Sequence, residues 1–455
     1  MVCGYYARND RHTERQTSMA LYEHPAQLLQ RLIRFNTTNP PGNEGECIRF
    51  IQQELRESGI ETKLVALDEN RPNLIARIKG RGDAPPLLLQ GHVDVVTTAH
   101  QDWKYPPFEA VEADGFIWGR GALDMKSGVA MMLAAFLRAS VEGDSLPGDV
   151  ILAVLSDEEV GGTYGARYLV EQHAHLFDGV RYALGEFGGF TMRIGEKKFY
   201  PIQVLEKQCA TLQVTLRGPG GHGSLPMRGG AAAQLAALLG TLDSQRLPFH
   251  LTPVTEQLIK GLAAGLPEPF ARLLLQLLDP ARADGVLDML GNIGQILDAL
   301  LHNTVNATMI HGGDSFNVIP SQITVTLDGR LLPGFTPEQV LTELRELVGE
   351  GPELAVTYYD PGQAEADMSQ YETLAQILRE QDPDGIPVPY MMPAVTDGRF
   401  FSRLGIQTYG FMPVQLPEDF NFMETIHAAD ERIPVAALRT GTEAIYQALL
   451  RLRLS

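Results

Sequence analysis

His92 and Asp94 close the segment PLLLQGHVD, Asp124 lies in FIWGRGALDMK, Asp157, Glu158 and Glu159 follow VILAVL, and Glu186 ends RYALGEF. Imidazoles and carboxylates are the groups that hold a divalent cation such as zinc, and each stretch reads as a short apolar strand ending in such a group. In an open α/β sheet, ligands bind beyond the carboxyl ends of the strands, so residues past several strand ends can meet although they lie far apart in sequence. A single acidic residue there is more simply a solvated charge or a helix cap. Four such stretches in one rhythm point to a metal centre.

The segments between them supply the scaffold. SGVAMMLAAFLRA after Asp124 and TYGARYLVEQHAHLF after Glu159 have the length and apolar content of helices. Strand, ligand, helix, strand is the rhythm of right-handed βαβ units in a parallel sheet. LLL, VILAVL and YAL are apolar enough for strands buried on both faces. Around residue 205 the pattern changes. ATLQVTLRG alternates like a half-wet strand, AAAQLAALLGTL reads as a helix, NTVNATMI and QITVTLDGRLL as strands, TPEQVLTELRELVGE as a capped helix and ELAVTYYD as a last strand. That βαββαβ order is the ferredoxin-like split unit. A Leu-rich, helical insertion is expected at about 247–300, and from MSQYETLAQILREQ onward the first pattern returns. The reading is therefore a catalytic domain over 23–205 and 361–455, a second domain over 206–360, and a disordered leader over 1–22, with Met19 as an alternative start.

A chain of 455 residues with 44% hydrophobic content exceeds what one core usually supports, which agrees with two domains. No apolar run approaches the roughly 18 residues needed to span a bilayer, and the N-terminal segment lacks the apolar core of a signal peptide. A formal charge of −19 and a pI near 5.0 argue against nucleic acid as a partner. Cys3, Cys47 and Cys209 are too few and scattered for a disulfide framework, so a reducing cytoplasm is expected. His100, His173, His175, His250, His302 and His311 lack a partner pattern, and no strand–GxGxxG–helix order suggests a nucleotide.

GHVDVV, GRGALDMKSGVA, SDEEVGG, GPGGHGS, NVIPS, TDGRFF and IHAADE follow one another in this order. Together, over about residues 25 to 450, they resemble the dinuclear zinc metallopeptidase and amidohydrolase family of aminoacylase, acetylornithine deacetylase, succinyl-diaminopimelate desuccinylase, carboxypeptidase G and carboxypeptidase S. The helical insertion followed by GGDSFNVIPSQITVTLDGRLLPG is most similar to the carboxypeptidase S and N-acyl amino acid hydrolase branch. The resemblance implies an α/β fold: a zinc-peptidase-like catalytic domain with a central, mostly parallel sheet, plus an inserted ferredoxin-like α+β lid or dimerisation domain.

It also implies a site. Two Zn2+ per chain are expected, with Co2+ or Mn2+ as substitutes. Two such ions a few ångströms apart tolerate one another only with negative groups between them, and Asp124 is the natural bridge. Similarity then gives His92 and Glu186 to one metal and Glu159 and His427 to the other, leaving a position for a shared water. Glu158 would be the general base, and Asp94 an acceptor that orients the His92 imidazole. His222, in GPGGHGSLP, would stabilise the oxyanion, often at a neighbouring subunit's site, with Gly220, Gly221 and Gly223 letting the backbone approach closely.

Asn317 and Arg330 resemble contacts to the substrate carbonyl and carboxylate, with a structural ion pair as the rival for Arg330. In PAVTDGRFFSRLG many carboxypeptidase members carry a Gly-rich run before the TD pair, whereas this chain reads AVTD. Thr396, Asp397 and Arg399 are still the candidate substrate contacts there, Arg399 as a carboxylate clamp or equally as a helix-start salt bridge. The expected function is metal-dependent cleavage of an amide in an N-acyl amino acid or small peptide by attack of a zinc-bridging water. A biosynthetic deacetylase or desuccinylase is the alternative, and a catalytically silent peptide- or metal-binding relative the reading from another class. The expected partners are a small-molecule substrate and a second copy in a homodimer, with neither nucleic acid nor membrane.

Overall fold

The computed structural model describes residues 21–142 and 146–453, so residues 1–20 of the expected leader lie outside them. The chain divides into two compact units. One comprises Met1–Gln203, Asp367–Val388 and Phe400–Ser455, the other Val204–Ala366 and Pro389–Arg399.

The first unit is built on a sheet whose middle consists of Val150–Leu155, Leu87–His92, Tyr182–Gly185 and Gln407–Gly410, paired in that order and all parallel. Every residue of the first three is buried, which is why their sequences are continuous apolar runs rather than alternating ones. Antiparallel strands flank this centre: Asn73–Ile78 and Thr62–Val65 on one side, Lys197–Glu206 on the other. Between Leu87–His92 and Val150–Leu155 runs the helix Lys126–Val141, which is buried around most of its circumference. Ala166–His173 leads to Tyr182–Gly185. Leu88, Ile151, Leu169, Phe177, Phe400 and Phe401 form part of one continuous core, each contributing about 1.5–3 kcal/mol through burial.

One expectation needs correction. Asp124 does not end a strand of this sheet. FIW forms Phe116–Trp118, the middle strand of a separate antiparallel three-stranded sheet with Val111–Ala113 and Arg432–Pro434. Asp124 lies beyond it, in the turn before the helix Lys126–Val141. That turn is fixed by the buried carboxylate of Glu431, which accepts from the backbone N–H groups of Leu123 at 2.6 Å, Asp124 at 3.1 Å and Gly121 at 3.0 Å, and pairs with Arg120 at 2.7 Å.

The second unit carries a four-stranded antiparallel sheet in the order Thr304–Gly312, Gln322–Leu331, Gln208–Arg217, Glu353–Asp360. With the helices Ala231–Ser244 and Pro337–Val348 this is the ferredoxin-like βαββαβ arrangement. Gln208–Arg217 alternates buried and half-buried residues, as one covered face requires, and its Leu212, Val214 and Leu216 pack with Leu238, Val325, Leu327 and Leu344. Thr336 opens Pro337–Val348 through a capping box with Gln339. Four helices, Pro253–Gly265, Phe270–Leu275, Ala283–Met289 and Asn292–Leu301, stand between Ala231–Ser244 and Thr304–Gly312. The buried Lys207 ammonium donates to the Ala299 and His302 carbonyls, at 3.0 and 2.9 Å, and to Thr304 Oγ1 at 3.1 Å. A cation thus meets the negative end of the last of these helices. Among the described residues no helix is long and apolar enough to cross a membrane.

Candidate metal centre

The parallel register sets the first ligand positions. His92 is the last residue of its strand and stands opposite Leu155, so Asp157, Glu158 and Glu159, just past that neighbour, emerge at the same edge. Glu186 follows Gly185, the end of the next parallel strand. To this edge the turn held by Glu431 adds Asp124, and the segment after Phe422–Thr425 adds His427. Two sets result, His92–Asp124–Glu186 and Asp124–Glu159–His427, in each of which one ligand atom per residue lies within 4.8 Å of the others.

The distances fit shared cations. His92 Nε2 lies 3.3 Å from Asp124 Oδ1 and 3.3 Å from Glu186 Oε2, while His427 Nε2 lies 3.1 Å from Asp124 Oδ2 and 3.4 Å from Glu159 Oε2. Asp124 thus faces one imidazole with each carboxylate oxygen. Glu158 Oε2 is 4.0 Å from His92 Nε2, beside the sets but in neither. Burial alone would raise the Asp124 pKa, but hydrogen bonds and charge from His427 and His92 hold it well below the usual carboxylate range. Burial, and then the Asp124 charge, push Glu159 up. Glu159 Oε1 is buried with no hydrogen-bond partner among the described residues, an omission that costs about 1–3 kcal/mol unless a cation or donor meets it. That orphaned oxygen and the all-carboxylate-and-imidazole donor set fit a pair of zinc-type ions.

Asp94 meets the His92 imidazole chiefly through its backbone carbonyl and puts its carboxylate to a second use. The nearer partner of His92 Nδ1 is the Asp94 backbone carbonyl, at 3.0 Å, and the carboxylate stands at 3.5 Å. The carboxylate also accepts from the backbone N–H groups of Glu158 and Glu159, both at 3.1 Å, and from Asn39 Nδ2 at 2.9 Å. Asp94 therefore grips the turn that carries both glutamates. Asn39 and Glu431 were not singled out from sequence. Glu431 closes the IHAADE motif, so its place beside His427 was a usable signal. Asn39 had none.

The other expected contacts lie in the second unit. His222 is exposed in a two-residue strand, Gly221–His222, paired with Val318–Ile319, and Gly223 N–H donates to the Asn317 carbonyl at 2.8 Å, so His222 and Asn317 are neighbours. Ser224 N–H donates to His222 Nδ1 at 3.2 Å. Because a backbone N–H can only donate, Nδ1 accepts and the neutral ring carries its proton on Nε2. Arg330 stands near the opposite end of the ten-residue strand Gln322–Leu331 and forks onto Asp328 at 2.8 and 3.1 Å. Arg399 is buried, with Nε on Asp360 Oδ2 at 3.0 Å and Nη1 on the Thr396 carbonyl at 2.7 Å. Thr396 gives both its N–H and its hydroxyl to Glu206 Oε2 at 2.8 Å, and Asp397 is buried beside it. This loop is held through its own polar groups.

Comparison with known proteins agrees with the geometry. The sequence profile of Peptidase family M20/M25/M40 matches residues 88–451. The chain is 28% identical over 413 residues to the human "N-fatty-acyl-amino acid synthase/hydrolase PM20D1", covering 88% of this chain and 78% of that protein. It is 26% identical over 442 residues to human "Aminoacylase-1", covering 94% and 95%. An M20 family metallo-carboxypeptidase from Sulfolobus solfataricus shares the fold, with a TM-score of 0.69 at 18% identity over 94% of this chain and 98% of that one.

Proposed function

The chain belongs to peptidase family M20/M25/M40, metal-dependent hydrolases acting on C–N bonds, and from that premise we propose that it cleaves the amide of an N-acyl amino acid or a small peptide. The observation that carries this reading is the pair of ligand sets sharing Asp124, with the Glu158 carboxylate beside them. Asp124, His92 and Glu186 would hold one zinc ion, and Asp124, Glu159 and His427 the other. When bound, such ions polarise a carbonyl and lower the pKa of water. Glu158 takes a proton from water at its carboxylate and returns it to the leaving nitrogen. Asp94, through its two backbone hydrogen bonds, keeps Glu158 and Glu159 directed apart. His222 donates from Nε2 to the carbonyl oxygen as it gains charge, Asn317 assists beside it, and Arg330 binds the substrate carboxylate. Thr396, Asp397 and Arg399 shape the substrate loop from behind, through Glu206 and Asp360.

The first unit is thus read as the metal-binding domain and the second as the lid. Eight residue steps along the antiparallel strand separate Arg330 from Gln322, about 27 Å at 3.4 Å per step, and the His222 hairpin attaches near Gln322, where Gly218 N–H binds the Ser321 carbonyl. One small substrate does not span that length. This favours a homodimer in which His222 and Asn317 of one chain serve a different site from the one its Arg330 serves. The free thiols of Cys47 and Cys209 fit a reducing cytoplasm.

The test is a screen of N-acyl amino acids and dipeptides with zinc-loaded protein, read by amine release, together with two variants. Asp124→Ala should abolish turnover and bring bound zinc well below two per chain. Glu158→Ala should retain both ions and lower kcat by about 10²–10⁴-fold, the scale of a lost general base. Normal zinc content in the first variant or undiminished turnover in the second would refute these roles.

A further inference from the structure

The turn that carries Glu158 and Glu159 begins at Asp157, whose φ of 72° lies in the left-handed region. Asp157 is 2% exposed and both its oxygens are engaged. Oδ1 accepts from Arg71 Nη2 at 2.9 Å and from Asn39 Nδ2 at 3.0 Å, and Oδ2 accepts from Tyr164 N–H at 3.1 Å. Arg71, 7% exposed, also forks onto the fully buried Glu44, with Nη2–Oε1 at 2.6 Å and Nε–Oε2 at 3.1 Å. The Tyr164 ring covers the guanidinium, with its centroid 4.7 Å from Cζ. Space for this cation depends on Gly42, because a Cβ there would stand 2.2 Å from Arg71 Cζ. Asn39 joins the group to Asp94, which in turn grips the N–H groups of Glu158 and Glu159.

A closed chain of contacts therefore runs Glu44, Arg71, Asp157, Asn39, Asp94 and returns to the Glu158–Glu159 backbone. Neither Glu44, Arg71 nor Asn39 belongs to a ligand set. Burying an ion pair is a poor way to add stability, since apolar side chains of similar volume serve as well or better. What a planar, five-donor guanidinium supplies here is direction: it fixes Asp157 from one side while the next two residues turn toward the metal centre.

We propose that Arg71 is a positioning residue for the hydrolytic reaction, fixing the direction of the Glu158 carboxylate through Asp157. The inference rests on the reading of Glu158 as the proton-transferring base. Arg71 touches neither substrate nor metal ligand in this scheme. It acts by holding the turn to within the fraction of an ångström that proton transfer requires, and misplacement by about 1 Å costs on the order of 10²-fold.

Two variants test it. Asp157→Asn keeps the side-chain shape and tolerates a left-handed backbone, while Arg71→Lys keeps the charge and loses the fork. With zinc-loaded protein and one N-acyl amino acid, each should lower kcat by about 10²-fold with KM changed less than about threefold, the signature of an interaction felt in the transition state. Placed in a Glu158→Gln background, Asp157→Asn should cause no further loss, because the group it positions is already gone. Independently of activity, amide hydrogen exchange at Glu158 and Glu159 should accelerate in both variants. Wild-type kcat in both folded variants, or an undiminished loss in the Glu158→Gln background, would overturn the proposal and leave Arg71 a role in the fold alone. Wild-type turnover by Glu158→Gln itself would instead overturn the base reading, and unchanged exchange at Glu158 and Glu159 would then overturn the positioning of the turn as well.

Discussion

His427 is 49% exposed, yet hydrogen bonds to Asp124 and Glu159 raise its pKa to about 10. Burial would lower the pKa of His92, but the Glu186 charge and hydrogen bonds to Asp124, Asp94 and Glu186 raise it well above the usual imidazole value. In the metal-free protein the His427 ring therefore carries a second proton at neutral pH, and the His92 ring is shifted in the same direction. A metal ion needs the lone pair that this proton occupies, so binding must release it. Zinc affinity should rise with pH between 6 and 8, by about tenfold per unit for each proton displaced. Calorimetry in buffers of different ionisation enthalpy should count at least one proton released per chain, and zinc binding with no proton release would remove His427 from the ligand set.

Among the elements, the junction of Lys197–Glu206 with Gln208–Arg217 holds two adjacent buried ionisable groups, an acid and a base. Burial raises Glu206 from 4.5 to about 7, against the opposing charge of Arg399. It lowers Lys207 from 10.5 to about 7, with Arg330 adding repulsion. An unfolded Glu206 ionises near 4.5 while the folded one keeps its proton to about 7, so its contribution to stability is full below 4.5 and is lost as pH rises through 7. For Lys207 the unfolded chain binds the extra proton between 7 and 10.5, so stability is regained over that window. Both effects place the least favourable point of this junction near neutrality. Glu206→Gln should remove the acid-side loss, about 2–4 kcal/mol between pH 4.5 and 7.5. Urea unfolding of both proteins at those two pH values measures it, and parallel pH slopes would show that Glu206 is ionised in the folded state.

For the whole molecule, the proposed sharing of sites in a homodimer makes a prediction that one chain alone cannot fulfil. His222→Ala should lower kcat by about 10²–10³-fold with zinc content unchanged, the usual cost of losing one oxyanion donor. Mixed with Glu158→Ala protein under conditions of subunit exchange, it should recover part of the wild-type rate, since one of the two composite sites regains both groups. A mixture that exchanges and stays inactive would confine His222 to its own chain. Metal binding should also stabilise the assembly: an ion held at a thousandfold over its Kd adds about 4 kcal/mol. Chelation should therefore lower Tm, reversibly on adding zinc, and a Tm indifferent to chelator would argue against tight binding in the folded state.

What the sequence determined by itself was whatever has a local signature. Continuous apolar runs specify strands buried on both faces, and a ligand-type residue straight after such a run is thereby placed at a strand end, as His92 and Glu186 are. The alternation of Gln208–Arg217 and the capping box at Thr336 likewise made the βαββαβ unit legible. The motif order added the family. The tertiary structure alone decided how the charges pair. Asp124 reaches the candidate metal centre through Glu431, 307 residues away, rather than through a strand of the main sheet. Arg399 faces Asp360, the Asp94 carboxylate grips a backbone turn rather than chiefly an imidazole, and Arg71 joins Glu44 to Asp157 across separations of 27 and 86 residues. Periodicity is a property of neighbouring residues and can be read along the chain. A buried ion pair is a property of two distant segments brought together, and neither segment carries a mark of the other until the fold has removed both from water.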